Sequence, residues 1–274
     1  MTITLKTIKN RSISLNEFFQ NQQIQKIVPW IVPILVVVLW ELSSRIGLLS
    51  TRILPAPSGV VITAFKLAST GELFQHIGIS AGRAISGFLV GGSIGFSLGL
   101  LNGIFPVAEK LLDSSLQMLR TIPNLALIPL VILWFGIGDQ ARLFLVSMGV
   151  FFPLYLNTFH GIRSVDPGLI EMGRVYGLKP AQLLWQIILP GALSSILVGV
   201  RFSLGIMWLT LIVAETIAAD SGLGYMAMNA REFMQTDVVV LSIFIYALLG
   251  KLADATARYL ERTWLAWHPN YQNA

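Results

Sequence analysis

Residues 171–190 read EMGRVYGLKPAQLLWQIILP, a polar-flanked break between the long apolar segments of the second half of the chain. Asp166 and Pro167 precede it, a capping acceptor followed by a residue suited to the first helical turn. Gly177 suits the left-handed position that closes a helix. These signals predict one short helix. A second is expected to begin near Pro180, with Leu183, Leu184, Ile187 and Ile188 on one apolar face, and to stop where Pro190 precedes the next apolar run. Residues 166–190 therefore read as two short helices meeting at a glycine.

The rest of the chain explains why such a hairpin stands out. Of 274 residues 54% are hydrophobic and 12% charged, about half the charged share of an average soluble domain, and the mean hydropathy is +0.71. This is the composition of an all-α integral membrane protein. The length accommodates five or six spans of about 20 residues with their connections, and leaves no room for a soluble catalytic domain. The net charge of +5 does not point to nucleic acid, because the basic residues are scattered among apolar runs and form no stripe with interleaved aromatics. With no cysteine in the chain, disulfides, thiolate metal sites and cysteine nucleophiles are excluded together. His76, His160 and His268 lie far apart without metal-binding spacing, and no phosphate-binding GxxxxGK[ST] occurs, so any ATP used must bind another chain.

Six spans are expected. Residues 1–26 are polar and basic, and Ser14 with Glu17 has capping-box spacing, which predicts a cytoplasmic elbow segment on the membrane surface. Residues 27–42 are read as an uncleaved first span, because Ser43-Ser44-Arg45 lacks the small-residue pattern of a cleavage site. In the connection at 51–60, Pro55 and Pro57 force extended backbone before Ser58, the expected cap of an amphipathic helix. The second span, about 79 to 105, carries Gly87, Gly91, Gly95, Gly99 and Gly103, a ridge that predicts packing on another helix rather than on lipid. Residues 111–134, interrupted by Pro123 and Pro129, are the third. The fourth is centred on 142–155, the fifth covers 193–214 and the sixth 238–257, with an external turn and short helix over 220–237. With the amino terminus in the cytoplasm, inner segments hold ten Lys and Arg and outer segments five, which favours cytoplasmic termini and puts 166–190 in the cytoplasm.

The glutamate of this hairpin, the glycine six residues on, and Ile187, Leu189 and Pro190 resemble the EAA loop of permease subunits of binding-protein-dependent ABC importers. Met172 and Gly173 stand where that pattern has two alanines, both small or flexible enough for close packing. Three further stretches, STRILPAPSGVV at 50–61, QMLRTIPNLALIPLVILWFGIGD at 117–139 and WLTLIVAETIAADSGLGYMAMNAREFMQTDVVV at 208–240, resemble the aliphatic sulfonate permeases. Permeases for taurine, nitrate, nitrite and bicarbonate share much of that architecture. The resemblance implies a type I ABC importer transmembrane domain over 27–274, working as a pair of copies in the bacterial inner membrane. A cytoplasmic ATPase dimer, which carries the ATP and magnesium, and an external or periplasmic solute-binding protein complete the machine. It assigns Glu171, Met172, Gly173, Gly177, Ile187, Leu189 and Pro190 to ATPase coupling.

Charges inside apolar spans are the other candidates, because an ionisable group at mid-membrane costs about 2.5 to 3.5 kcal/mol on insertion scales. These are Arg83, Arg120, Arg201 and Glu215. Arg120 and Arg201, near the cytoplasmic ends of their spans, are candidate transient partners for an anion in the translocation pathway. The alternative is that they snorkel to lipid or pair with a carboxylate such as Asp113. Glu215 serves either a structural hydrogen bond or gating. A secondary transporter or channel would show acidic relay groups in mid-membrane or an internal repeat, and a membrane-embedded enzyme clustered His, Asp or Glu; neither pattern is present.

Overall fold

The computed structural model describes residues 22–267, so the elbow expected over 1–26 falls largely outside the described residues. Among the described residues the chain is helical throughout. Helix α1 (Gln22–Arg45) carries the run expected as the first span. Its apolar residues from Trp30 to Leu42 are largely exposed, as suits a helix facing acyl chains. Extended Pro55 and Ala56 lead into α2 (Pro57–Ser69), and here the expected cap is corrected. Ser58 does not cap; its own backbone N–H and hydroxyl donate to the Glu41 carboxylate of α1 at 3.0 and 2.9 Å. An anion on orphan N–H groups at a helix start is favourable, and Arg45 holds the same carboxylate from 2.7 Å. Residues 1–61 and 62–274 cluster as two compact units, the second containing all that follows.

The second unit is built around α6 (Asp139–Arg163), whose long list of buried residues runs from Ala141 to Ile162. Its largest contact is with α3 (Glu72–Ile104), and the glycine ridge is the reason. A Cβ on Gly95 would stand 2.5 Å from the Phe151 carbonyl oxygen and one on Gly99 2.6 Å from that of Tyr155, while Gly91 presses closer still onto the backbone of Ser147. The Ser147 hydroxyl donates to the Gly87 carbonyl at 3.2 Å. The expected helix-on-helix packing is therefore observed, backbone against backbone, which is how membrane helices gain van der Waals contact where lipid offers no hydrophobic drive.

The third span is not straight. It forms α4 (Pro106–Arg120), a 3-10 turn (Asn124–Leu127) and α5 (Ile128–Phe135), bent by 84°. Pro123, extended at φ −62° and ψ 122°, disfavours helical backbone in the residue before it and cannot donate across the break. Helix α7 (Pro167–Val175) and α8 (Pro180–Leu183) make the hairpin, a π turn (Leu184–Ile188) follows, and α9 (Leu189–Ala218), α10 (Leu223–Glu232) and α11 (Thr236–Trp264) complete the fold. The short helix expected within 220–237 is α10. On length and composition α3, α6, the continuous helix Pro180–Ile217 and α11 are able to cross a membrane, and the bent pair makes up to five. Against the six spans expected, α1 is not among these candidates, and the third span is one only if the bent pair is counted as a single crossing.

Candidate functional site

The hairpin forms because both of its helix ends are closed locally. Asp166 caps α7 by accepting from the Gly168 N–H at 2.8 Å. At the other end Gly177 sits at φ +79°, its N–H donates to Arg174 and that of Leu178 to Gly173, both at 3.0 Å. This paired closure with a left-handed residue is the Schellman arrangement. Gly173 is buried where α7 meets the second arm: an added Cβ would lie 2.6 Å from the side-chain tips of both Leu183 and Ile187. The glycine that departs from the alanine pattern thus lets the two arms approach.

The second arm does not stop at Pro190, contrary to the sequence-based expectation. Pro180–Ile217 is one continuous helix of 38 residues. Pro190 cannot donate an N–H, and the π turn just before it shifts the hydrogen-bonding register, so that the Leu189 N–H reaches back five residues to the Leu184 carbonyl. The backbone absorbs the proline without ending the helix. At its root the hairpin is tied to the bundle by a cluster of Ile162, Val165, Ala192 and Ile196, against which Ile170, Ile187, Ile188 and Leu189 pack. Away from that root it is uncovered. Leu169 and Met172 on α7 and Trp185 in the π turn are 46%, 49% and 69% exposed, Val175 and Tyr176 are 86% and 80%, and Glu171 is exposed beside them. An apolar tip rimmed by charge, on a segment rigidly joined to a membrane helix, is the geometry of a docking surface.

The structure brings two of the four charge candidates together. Glu215 on α9, 1% exposed, is held by the Arg83 Nη1 donor at 2.9 Å, the Gly224 N–H at 3.0 Å and the Tyr246 hydroxyl at 2.9 Å. The Ser80 hydroxyl lies within 2.9 Å of both its oxygens and itself accepts from the Leu223 N–H at 2.8 Å. Arg83 also donates to Asp139 at 2.7 Å and to the Ser221 carbonyl at 2.6 Å. A carboxylate fully supplied with donors and paired with a guanidinium clasps α3, α6, α9, α10 and α11 at one end of the bundle. Of the alternatives raised for Glu215, this geometry serves the structural one.

Arg120 is exposed at the last position of α4. Arg201 on α9 does pair with a carboxylate, but with Asp254 of α11, Nε to Oδ1 at 2.8 Å, and Glu261 stands 3.7 Å from its Nη1. Asp113, the partner suggested from sequence, instead accepts from Tyr155 at 3.2 Å and from Gln117 at 3.3 Å. Sequence reasoning missed Ser80, Asp139, Tyr246 and Asp254; acidic residues breaking or bordering apolar runs, Asp139 and Asp254 among them, were the available signal.

Comparison with known proteins adds a second line of evidence. The profile of the family described as "Binding-protein-dependent transport system inner membrane component" matches residues 87–265. A protein of Escherichia coli K12, by name an aliphatic sulfonates transport permease protein, SsuC, is 61% identical over 246 residues, 90% of this chain and 94% of that one. The taurine transport system permease protein TauC of the same organism is 34% identical over 238 residues, covering 85% and 86%. Among solved structures, an amino acid ABC transporter determined with histidines superposes with a TM-score of 0.55 at 16% identity, over 72% of this chain and 98% of that one.

Proposed function

Because the chain belongs to the family of binding-protein-dependent transport system inner membrane components, with the fold of a type I ABC importer transmembrane domain, we propose that it is the permease subunit of an importer for aliphatic sulfonates. It works as a pair of copies in the bacterial inner membrane. A solute-binding protein delivers the anion from outside, and two cytoplasmic ATPase subunits hold the ATP and magnesium and do the hydrolysis. The observation that carries this reading is the exposed apolar tip formed by Met172, Val175, Tyr176 and Trp185 on a hairpin continuous with a membrane helix. Docked in an ATPase groove, such a tip converts closure of the ATPase pair into displacement of the helix to which it is joined. Glu171, Met172, Gly173, Gly177, Ile187, Leu189 and Pro190 take the coupling role, with Gly173 and Gly177 fixing its shape. Both termini then face the cytoplasm, in line with the basic residues of the inner segments.

Sulfonate is favoured over taurine because identity to the sulfonate relative is 61% and to the taurine relative 34%. The permease together with its ATPase and binding protein, reconstituted in vesicles, is expected to take up labelled ethanesulfonate in strict dependence on internal-face ATP, and taurine, nitrate and bicarbonate more slowly. Faster taurine or nitrate uptake would move the assignment to that substrate, and uptake without ATP would remove the importer reading altogether.

Gly177→Val tests the coupling role. A β-branched residue at φ +79° costs about 1–2 kcal/mol, enough to open the closure at Leu178 and Gly173 while the bundle core stays intact. The variant is expected in the membrane at normal level, with at least tenfold less co-purified ATPase and a matching loss of uptake. Wild-type values for both would exclude docking through this hairpin.

A further inference from the structure

Between α9 and α11 lies a groove of about 560 Å³ that neither the coupling hairpin nor the Glu215 clasp uses. Its two ends differ in chemistry. Along one wall Phe202 and Leu209 are 62% and 68% exposed, and Gly205 and Gly250 leave open space on α9 and α11, where an added Cβ would meet nothing within 4 Å. At the other end stand Arg201, Asp254 and Glu261. Charged groups within spans belong against a protein interior or a water-filled cavity, so this face is unsuited to bulk acyl chains.

We propose that this groove is a transient binding site for the transported anion, with the sulfonate on Arg201 and the alkyl chain along Phe202 and Leu209. The inference rests on the sulfonate reading of function. Its volume lies in the range of small-ligand sites, and an apolar wall ending in one guanidinium complements an apolar tail ending in one anionic head. Asp254 occupies the place of that head in this structure. It spans two cations, Oδ1 on Arg201 at 2.8 Å and Oδ2 on Arg258 at 2.9 Å. When a sulfonate takes Arg201, Asp254 retains Arg258 and is not left as a lone carboxylate. Among the described residues only the Nε donor of Arg201 is committed at hydrogen-bond distance, since Glu261 stands at 3.7 Å, so the fork retains donors for two anion oxygens. A carboxylate that competes with the substrate keeps occupancy brief, as a site between delivery and release requires.

An anionic lipid shares the chemistry of charged head and aliphatic tail, so the test uses the whole reconstituted complex in phosphatidylcholine vesicles with and without phosphatidylglycerol. Uptake of ethanesulfonate and hexanesulfonate is measured for wild type, Arg201→Gln and Gly205→Leu. Arg201→Gln is expected to lower both uptakes at least tenfold with normal co-purification of the ATPase. Gly205→Leu, whose Cβ meets nothing within 4 Å and whose branch enters the groove, is expected to lower hexanesulfonate uptake at least fivefold relative to ethanesulfonate, with or without phosphatidylglycerol; Gly250→Leu, on the opposite wall, repeats the test independently. Wild-type uptake by Arg201→Gln, or an unchanged chain-length ratio in both leucine variants, overturns the site. A ratio that follows phosphatidylglycerol and ignores the leucines assigns the groove to lipid and overturns it equally. If the wild type imports no sulfonate at all, the functional reading fails separately. The groove is then decided by whether hexanesulfonate raises the melting temperature of the purified permease and Gly205→Leu abolishes the shift.

Discussion

Gly91→Leu is expected to leave almost no folded permease in detergent extracts, the largest effect of any single substitution considered. A Cβ at this position would fall on the Ser147 carbonyl oxygen, Cα and carbonyl carbon, all within 2.7 Å. These are backbone atoms of the central helix, so no rotamer change relieves the overlap. Ordinary overpacking of a core, where side chains can shift, already costs about 1–3 kcal/mol. Here α3 must move off α6, and because the ridge runs from Gly87 to Gly103 the separation propagates along the largest contact in the fold. Two neighbours supply controls. Gly92→Ala places its Cβ 3.3 Å from the tip of Leu154, a contact that a slight side-chain movement accommodates, and Gly82→Ala points into open space. Gly82→Ala should match or exceed wild type, since alanine is favoured over glycine within a helix by about 1 kcal/mol. Size-exclusion profiles and melting temperatures give the order Gly82→Ala, Gly92→Ala, then Gly91→Leu; a wild-type profile for the last would mean that α3 and α6 do not meet at Ser147.

Arg83→Leu is the second large loss. Glu215 is buried against Arg83 at 2.9 Å, and removing one partner of a buried pair costs about 3–5 kcal/mol, most of it the penalty of an uncompensated charge. The loss shrinks in the background of Glu215→Gln. That amide keeps the shape of the carboxylate and has no charge to strand, so Arg83→Leu should cost far less there. A double-mutant cycle on melting temperature measures the coupling. Asp139→Asn is the complementary control: its side chain is 70% exposed, and solvent screening leaves its pair with Arg83 little to contribute. A double variant no more stable than Arg83→Leu alone would show that Glu215 is held by its other donors and not by this arginine.

These two sites show what a sequence of this kind discloses. The glycine ridge was legible because helical periodicity puts every fourth residue on one face, and a row of residues without side chains has few uses other than close approach. Asp166, Pro167 and Gly177 were legible for a similar reason, since capping and left-handed closure are local and depend on neighbours a few positions away. The Arg83–Glu215 pair joins positions 132 apart in the chain, and no local rule selects Glu215 rather than Asp113 as the compensating charge. Ser58 followed the usual capping pattern and was displaced by Glu41, 17 residues earlier, because a carboxylate satisfies helix-start donors better than a hydroxyl. Prolines misled in opposite directions. Pro123 does more than perturb its span, turning the chain by 84°, whereas Pro190 does not end its helix at all. The difference lies in the backbone before each residue: an extended Pro123 leaves a gap in hydrogen bonding, and a widened turn ahead of Pro190 closes one.

That widened turn also sets an angular phase. Each residue advances the face of a helix by about 100°, and Leu184–Ile188 holds one residue more than an undistorted helix needs between the hairpin and the membrane. Deleting a single residue there would keep a straight rod of nearly 38 residues, some 57 Å in length, yet rotate everything beyond it by roughly a quarter of a turn relative to the tip carrying Met172 and Trp185. With the tip held in place, Arg201 would swing away from Asp254 and Glu215 from Arg83; with the bundle held, the tip would turn instead. The bulge thus indexes the exposed tip to the membrane half, and under the proposed coupling role it would set the bearing on which a push at one end arrives at the other.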